Sequence, residues 1–117
     1  MDIRWNLSGA EIERESFRTI ESECDLREKL PEPEWRVARR LIHTTADMHI
    51  ADTLTFRNDA IASGLAALRA RAPLFCDSKM LLSGLSLARL RALHPGYGPE
   101  HLHGYIDDPD VAARAKA

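Results

Sequence analysis

At 117 residues, 44% hydrophobic and 29% charged, the chain has the length of one domain and the composition of a folded protein. Its formal net charge of −2 gives no bulk reason to expect nucleic acid or an anionic membrane as partner. Two cysteines, Cys24 and Cys76, are too few for a disulfide framework or a cysteine zinc site.

Met1 to Ser8 mixes charged and polar residues, so no signal peptide is expected. No apolar run approaches the length that crosses a bilayer. The expectation is a soluble, cytoplasmic protein.

Ser8-Gly9-Ala10-Glu11 reads as a capping box that opens a helix running to about Cys24. Ile12, Ser16, Phe17, Ile20 and Cys24 form its apolar stripe, with Ser16 as the one hydroxyl. Pro33 can open a second helix, because an early helical position does not need the missing amide. That helix should reach about Thr45. Val37, Ala38, Leu41, Ile42 and Thr45 share one face; Arg36, Arg39, Arg40 and His43 share another.

Thr53-Leu54-Thr55-Phe56 alternates and is rich in strand formers, so a short strand is expected there. Asn58 can cap the next helix, which carries Ile61, Gly64, Leu65 and Leu68 on one face and ends near Arg71. Pro73-Leu74-Phe75-Cys76 reads as a buried strand, and Asp77 and Ser78 as caps of a short helix to about Gly84. Ser86 to Glu100 reads as helix fragment and loop, and His101 to Ile106 as a further strand. Asp108-Pro109 pairs a cap with proline at the first helical position, which starts a last helix. Strands separated by helices point to an α/β fold with a largely parallel sheet and flanking helices. A small, mostly helical domain is the alternative, since the N-terminal third is helical.

His43 is the first candidate for chemistry. Its imidazole can accept or donate a proton near neutral pH. The arginines upstream on its face favour an anionic ligand, and carboxylates suit guanidinium groups. Taken alone, the pattern fits a solvated basic face ending in an ordinary histidine better than a site. Asp77 is the second candidate, because ligands of open α/β sheets bind beyond the carboxyl ends of strands. The plainer reading there is a buried cysteine and a helix cap. His101 and His103 lie two apart on the expected strand, but no third ligand or HExxH pattern accompanies them, so no metal site is assigned. A DNA-recognition helix built on Arg36, Arg39 and Arg40 conflicts with the acidic balance and with Glu28, Glu32 and Glu34 nearby.

Several segments together resemble one family. Glu15-Ser16-Phe17, with Ile20 and Glu23, resembles the start of precorrin-8X methylmutases. Arg40-Leu41-Ile42-His43 resembles their histidine-bearing helix. Phe56, Ala60, Gly64, Ala67-Leu68, Ala72-Pro73, Asp77, Met80 and Gly84 resemble their central block, and Tyr105-Ile106-Asp107-Asp108-Pro109 with Val111 the following junction. The matches run in order over nearly the whole chain.

The resemblance implies an α/β fold, usually homodimeric, with the active site near the subunit contact. It implies an isomerase of cobalamin biosynthesis that moves a methyl group between adjacent ring carbons, 11 and 12, of precorrin-8X. The product is hydrogenobyrinate or its cobalt counterpart, and no redox cofactor is required. By resemblance His43 is catalytic, protonating or hydrogen-bonding the macrocycle, and Ser16, Arg40 and Asp77 bind substrate.

Two departures stand out. Arg71 occupies a position where the family usually has glycine, so a left-handed helix end there would carry strain on the order of 1 kcal/mol or shift the turn. Typical members are also nearly twice as long, and continue through Thr-Arg-Ser and Gly-Asn-Ala-Pro segments. The expectation is a chain truncated relative to the family, with an apolar sheet edge left open.

Overall fold

The computed structural model describes residues 6–117. The N-terminal stretch from Met1 to Ser8 therefore lies partly outside the described residues. The chain divides into two compact units, Met1–Ile61 and Ala62–Ala117.

The first unit is helical. α1 spans Gly9–Glu23, α2 Leu26–Lys29, α3 Glu32–Thr45 and α4 Ile50–Thr53. The capping box at the head of α1 forms as the sequence dictates. The Glu11 amide donates to Ser8 Oγ at 3.4 Å, and the Ser8 amide donates to Glu11 Oε2 at 2.7 Å. Proline enters α3 in its first turn, where no amide is needed.

α1 and α3 bury Ile20 against Trp35, Ala38 and Ile42, and this is the core of the unit. Phe17, Cys24, Leu26, Leu30, Met48, Ile50 and Leu54 pack around it. The buried face of α3 is thus rotated from the expected one. Trp35, only 1% exposed, takes the core with residues three and seven further on, while Val37 and Leu41 face out. The indole has the largest apolar surface on the helix, so its burial decides the rotation.

The strand expected at residues 53–56 does not form. Ile50–Thr53 is helical, and the Leu54 amide closes that turn on the Ile50 carbonyl at 3.0 Å. Its strand-forming composition is overridden because Leu54 serves the helical core and no strand lies beside it among the described residues.

The second unit holds the sheet. α5 begins at Ala60 and ends at Arg69, β1 is Leu74–Cys76, α6 Lys79–Gly84, α7 Leu87–Leu93, β2 Leu102–Gly104 and α8 Pro109–Ala115. β1 and β2 pair in parallel, with Phe75 opposite His103. The two helices between them supply the long connection a parallel pair needs. The fold is thus mixed: helices together with a small parallel sheet of two strands among the described residues. Ser78 and Ser86 cap α6 and α7 by accepting from the Leu81 and Arg89 amides. His101 falls in a 3-10 turn, Pro99–His101, so the strand there is shorter than the sequence indicates. Tyr97 is buried in this unit, and its hydroxyl donates to the Ala72 carbonyl at 2.8 Å.

α5 ends in a Schellman motif. The Ala72 amide reaches the Ala67 carbonyl and the Arg71 amide the Leu68 carbonyl, both at 3.0 Å. Arg71 is left-handed, with φ 58°. The strain expected from a non-glycine residue here is therefore present.

Arg71→Gly is expected to raise stability by about 1 kcal/mol, read from urea unfolding. A second expectation concerns acid. Hydrogen bonds from Ser8 hold the Glu11 carboxyl below its ordinary value of 4.5. A depressed acid contributes stability above its ordinary value and loses it as pH falls through the lowered one. Helicity of the native chain should therefore exceed that of Glu11→Gln at neutral pH and converge with it in strong acid, by circular dichroism.

Candidate active site around His43

His43 lies in the last turn of α3, one residue beyond the core residue Ile42. α1 crosses beside it, so that Ser16 and Phe17 meet the imidazole. Ser16 Oγ lies 2.7 Å from His43 Nδ1. The Phe17 ring stands edge-on to the imidazole, with centroids 5.3 Å apart and planes at 74°. One nitrogen is thus engaged and one ring wall is fixed, which leaves Nε2 for a ligand. When the serine hydroxyl donates to Nδ1, the proton of the neutral ring is on Nε2, where it can offer a hydrogen bond outward.

An open cavity of about 340 Å³ adjoins this pair. Ser16, Thr19, Ile20 and Glu23 line it from α1, and Ile42, His43, Ala46 and Met48 from α3 and the loop beyond. The lining is mainly apolar, with His43 and Glu23 as its titratable groups. Ala46, in the left-handed region at φ 53°, ends α3 and turns the chain so that Met48 closes one side.

The arginine stripe is real but internally compensated. Arg36 pairs with Glu32, with Nε 3.1 Å from Oε1. Arg39 pairs with Glu21 and Arg40 with Glu13, both acids on α1. Arg39 and Arg40 also lie over the Phe17 ring, at 4.2 and 4.9 Å from its centroid. The same phenyl group therefore organises the histidine and both guanidinium groups. Arg40 remains about half exposed, so its pair with Glu13 sits in a high dielectric and is open to exchange with another carboxylate.

Asp77 follows β1 directly and is exposed. It belongs to the second unit, whereas Ser16, Arg40 and His43 belong to the first. His101 and His103 are engaged separately. His101 Nδ1 accepts from the Gly98 amide at 3.1 Å, and His103 Nδ1 lies 3.2 Å from the Tyr105 hydroxyl. Among the described residues, no group of three or more His, Cys, Asp or Glu is placed to hold a metal ion. No described helix is long and apolar enough to cross a membrane.

Sequence reasoning passed over Thr19 and Glu23 as lining residues. Their signal was present: Ser16, Thr19, Ile20 and Glu23 stand at offsets of zero, three, four and seven, one face of a helix.

The model of the family described as precorrin-8X methylmutase matches residues 11–117. The chain belongs to the precorrin-8X methylmutase family. A cobalt-precorrin-8 methylmutase of Leptospira interrogans is 38% identical over 108 residues, covering 92% of this chain and 46% of the relative. A precorrin-8X methylmutase of Pseudomonas aeruginosa is 38% identical over 84 residues, covering 72% of this chain and 40% of the relative. The crystal structure of a precorrin-8x methyl mutase from Thermus thermophilus superposes with a TM-score of 0.68 at 34% identity. It covers 92% of this chain, which covers 50% of it. The chain thus spans about half the length of the methylmutases it matches.

Replacing Ser16 by alanine removes the partner of Nδ1. Ring nitrogen shifts of His43 in NMR should then move toward a mixture of tautomers, while amide shifts of the core around Trp35 stay in place. An unchanged imidazole signal would mean that Ser16 does not set the tautomer.

Proposed function

We propose that this chain supplies the catalytic histidine of a precorrin-8X methylmutase, the isomerase that moves a methyl group from ring carbon 11 to ring carbon 12. The observation that carries the reading is the Ser16–His43 pair at 2.7 Å beside an apolar cavity, in a chain of this family. The substrate is precorrin-8X or its cobalt form, and the product is hydrogenobyrinate or its cobalt counterpart.

The chemistry asks little of the protein beyond position and one proton. An isomerisation within one bound molecule has no leaving group and no second substrate. His43 either donates a hydrogen bond from Nε2–H to the macrocycle as a neutral ring or, as imidazolium with Nδ1–H donating to Ser16, transfers the Nε2 proton to it as the methyl group migrates and takes a proton back from the macrocycle as the product forms. Ser16 holds the ring during both steps. Arg40 exchanges its Glu13 partner for a carboxylate of the substrate, and the resemblance to the family also gives Asp77 a part in substrate binding. Both units belong to one family domain in this reading, working in the cytoplasm as a homodimer and without nucleic acid.

A second reading is favoured by the coverage: with about half of the relatives' length, the chain alone binds or self-associates without turnover. The two separate in one experiment. Precorrin-8X is mixed with this chain, alone and together with the rest of a family member, and conversion is followed in the visible spectrum. Conversion that falls by about a hundredfold or more in His43→Asn supports the catalytic assignment, in line with the worth of a positioned acid or base. Hydrogenobyrinate bound without conversion in either mixture supports the second reading.

A further inference from the structure

α1 presents one line of side chains to the site. Glu13, Ser16, Ile20 and Glu23 stand at offsets of zero, three, seven and ten, a single stripe of the helix. Glu13 holds Arg40, Ser16 meets His43, and Ile20 and Glu23 line the cavity beyond. At the rise of an α-helix, Glu23 lies about 10 Å along the axis from Ser16. Charge is therefore ordered along the site. A guanidinium stands at one end, the imidazole comes next, an apolar floor follows, and a carboxylate stands at the far end.

Glu23 is the member of this line that helix and core do not explain. On the same helix Glu11, Glu13 and Glu21 are engaged by Ser8, Arg40 and Arg39. Arg27, beyond the helix end, is turned to Glu21 as well. Glu23 takes no hydrogen bond or ion pair among the described residues. It sits in the last turn of α1, which holds no basic residue, and there the helix dipole disfavours a negative charge. A residue that breaks a local rule with no structural return belongs to what the site does to a ligand.

We infer that Glu23 is a specificity-determining residue, whose carboxylate keeps carboxylate-bearing edges of a ligand out of the cavity and leaves them to Arg40. The inference rests on the reading of this cavity as the substrate site. A tetrapyrrole macrocycle has several similar ring edges, and a reaction confined to one of them needs the others turned away. Attraction to Arg40 alone does not achieve this for a substrate with carboxylates around its rim. A repulsive group at the other end of the same cavity does. Glu23 is exposed, so its discrimination is a matter of a few-fold and weakens with salt.

Two one-ring probes of similar size, benzoate and benzylammonium, test the inference. Each is titrated into the 117-residue chain while the methyl resonances of Ile20 and Met48 are followed by NMR. Benzylammonium should bind about fivefold more tightly than benzoate at low salt, and the ratio should shrink in about 0.5 M salt. Glu23→Gln should bring the ratio close to one, and Glu23→Lys should invert it. Lysine at this helix end agrees with the dipole, and far-ultraviolet dichroism checks that both variants fold. A ratio unchanged in Glu23→Gln overturns the inference, and so does a cavity that takes up neither probe. The catalytic reading fails separately: conversion of precorrin-8X retained in His43→Asn would remove that assignment and leave the probe ratio where it is.

Discussion

The burial of Trp35 governs the first unit. An indole cannot be left in water cheaply when Ile20, Ala38 and Ile42 offer an apolar seam, and its burial sets the rotation of α3 about its own axis. With that rotation fixed, His43 falls at the flank of the core rather than inside it, half-buried, beside the α1 residues Ser16 and Phe17. The candidate site is thus a by-product of core packing. A shift of one residue in the seam would turn the imidazole by about 100° around the helix and part it from its serine.

Charge is distributed on the same frame. Arg39 and Arg40 do not form a free cationic surface, because α1 sets Glu21 and Glu13 against them and Phe17 beneath them. The net effect is a neutral, pre-ordered array in which a guanidinium can change carboxylate partners without changing place.

Much of this was legible in the sequence, and the failures have physical causes. The capping box at Ser8 and Glu11 and the strain at Arg71 are local, decided by a few neighbouring residues, and they formed as read. The parallel strand after Pro73 forms as its apolar run indicates, but it is not the buried strand expected, since Phe75 is 67% exposed. The strand expected at residues 53–56 failed because strand propensity needs a partner strand, which a local pattern cannot supply. The face expected for α3 holds the buried Ala38 and Ile42 but leaves out Trp35, whose indole takes the core in place of Val37 and Leu41. His43 stood out only through the resemblance; its spacing alone described an ordinary basic face. Glu23 and Thr19 were readable from helical spacing but were overshadowed by the apolar stripe beside them.

The hydroxyl beside His43 has one more implication. A carboxylate in that place would favour a charged ring, and a backbone carbonyl would demand a proton on the nitrogen facing it. The Ser16 hydroxyl can donate to a bare Nδ1 and accept from a protonated one. Either arrangement keeps the 2.7 Å contact with no heavy atom moving. Such a neighbour keeps the ring in one place whichever way the hydrogen bond runs.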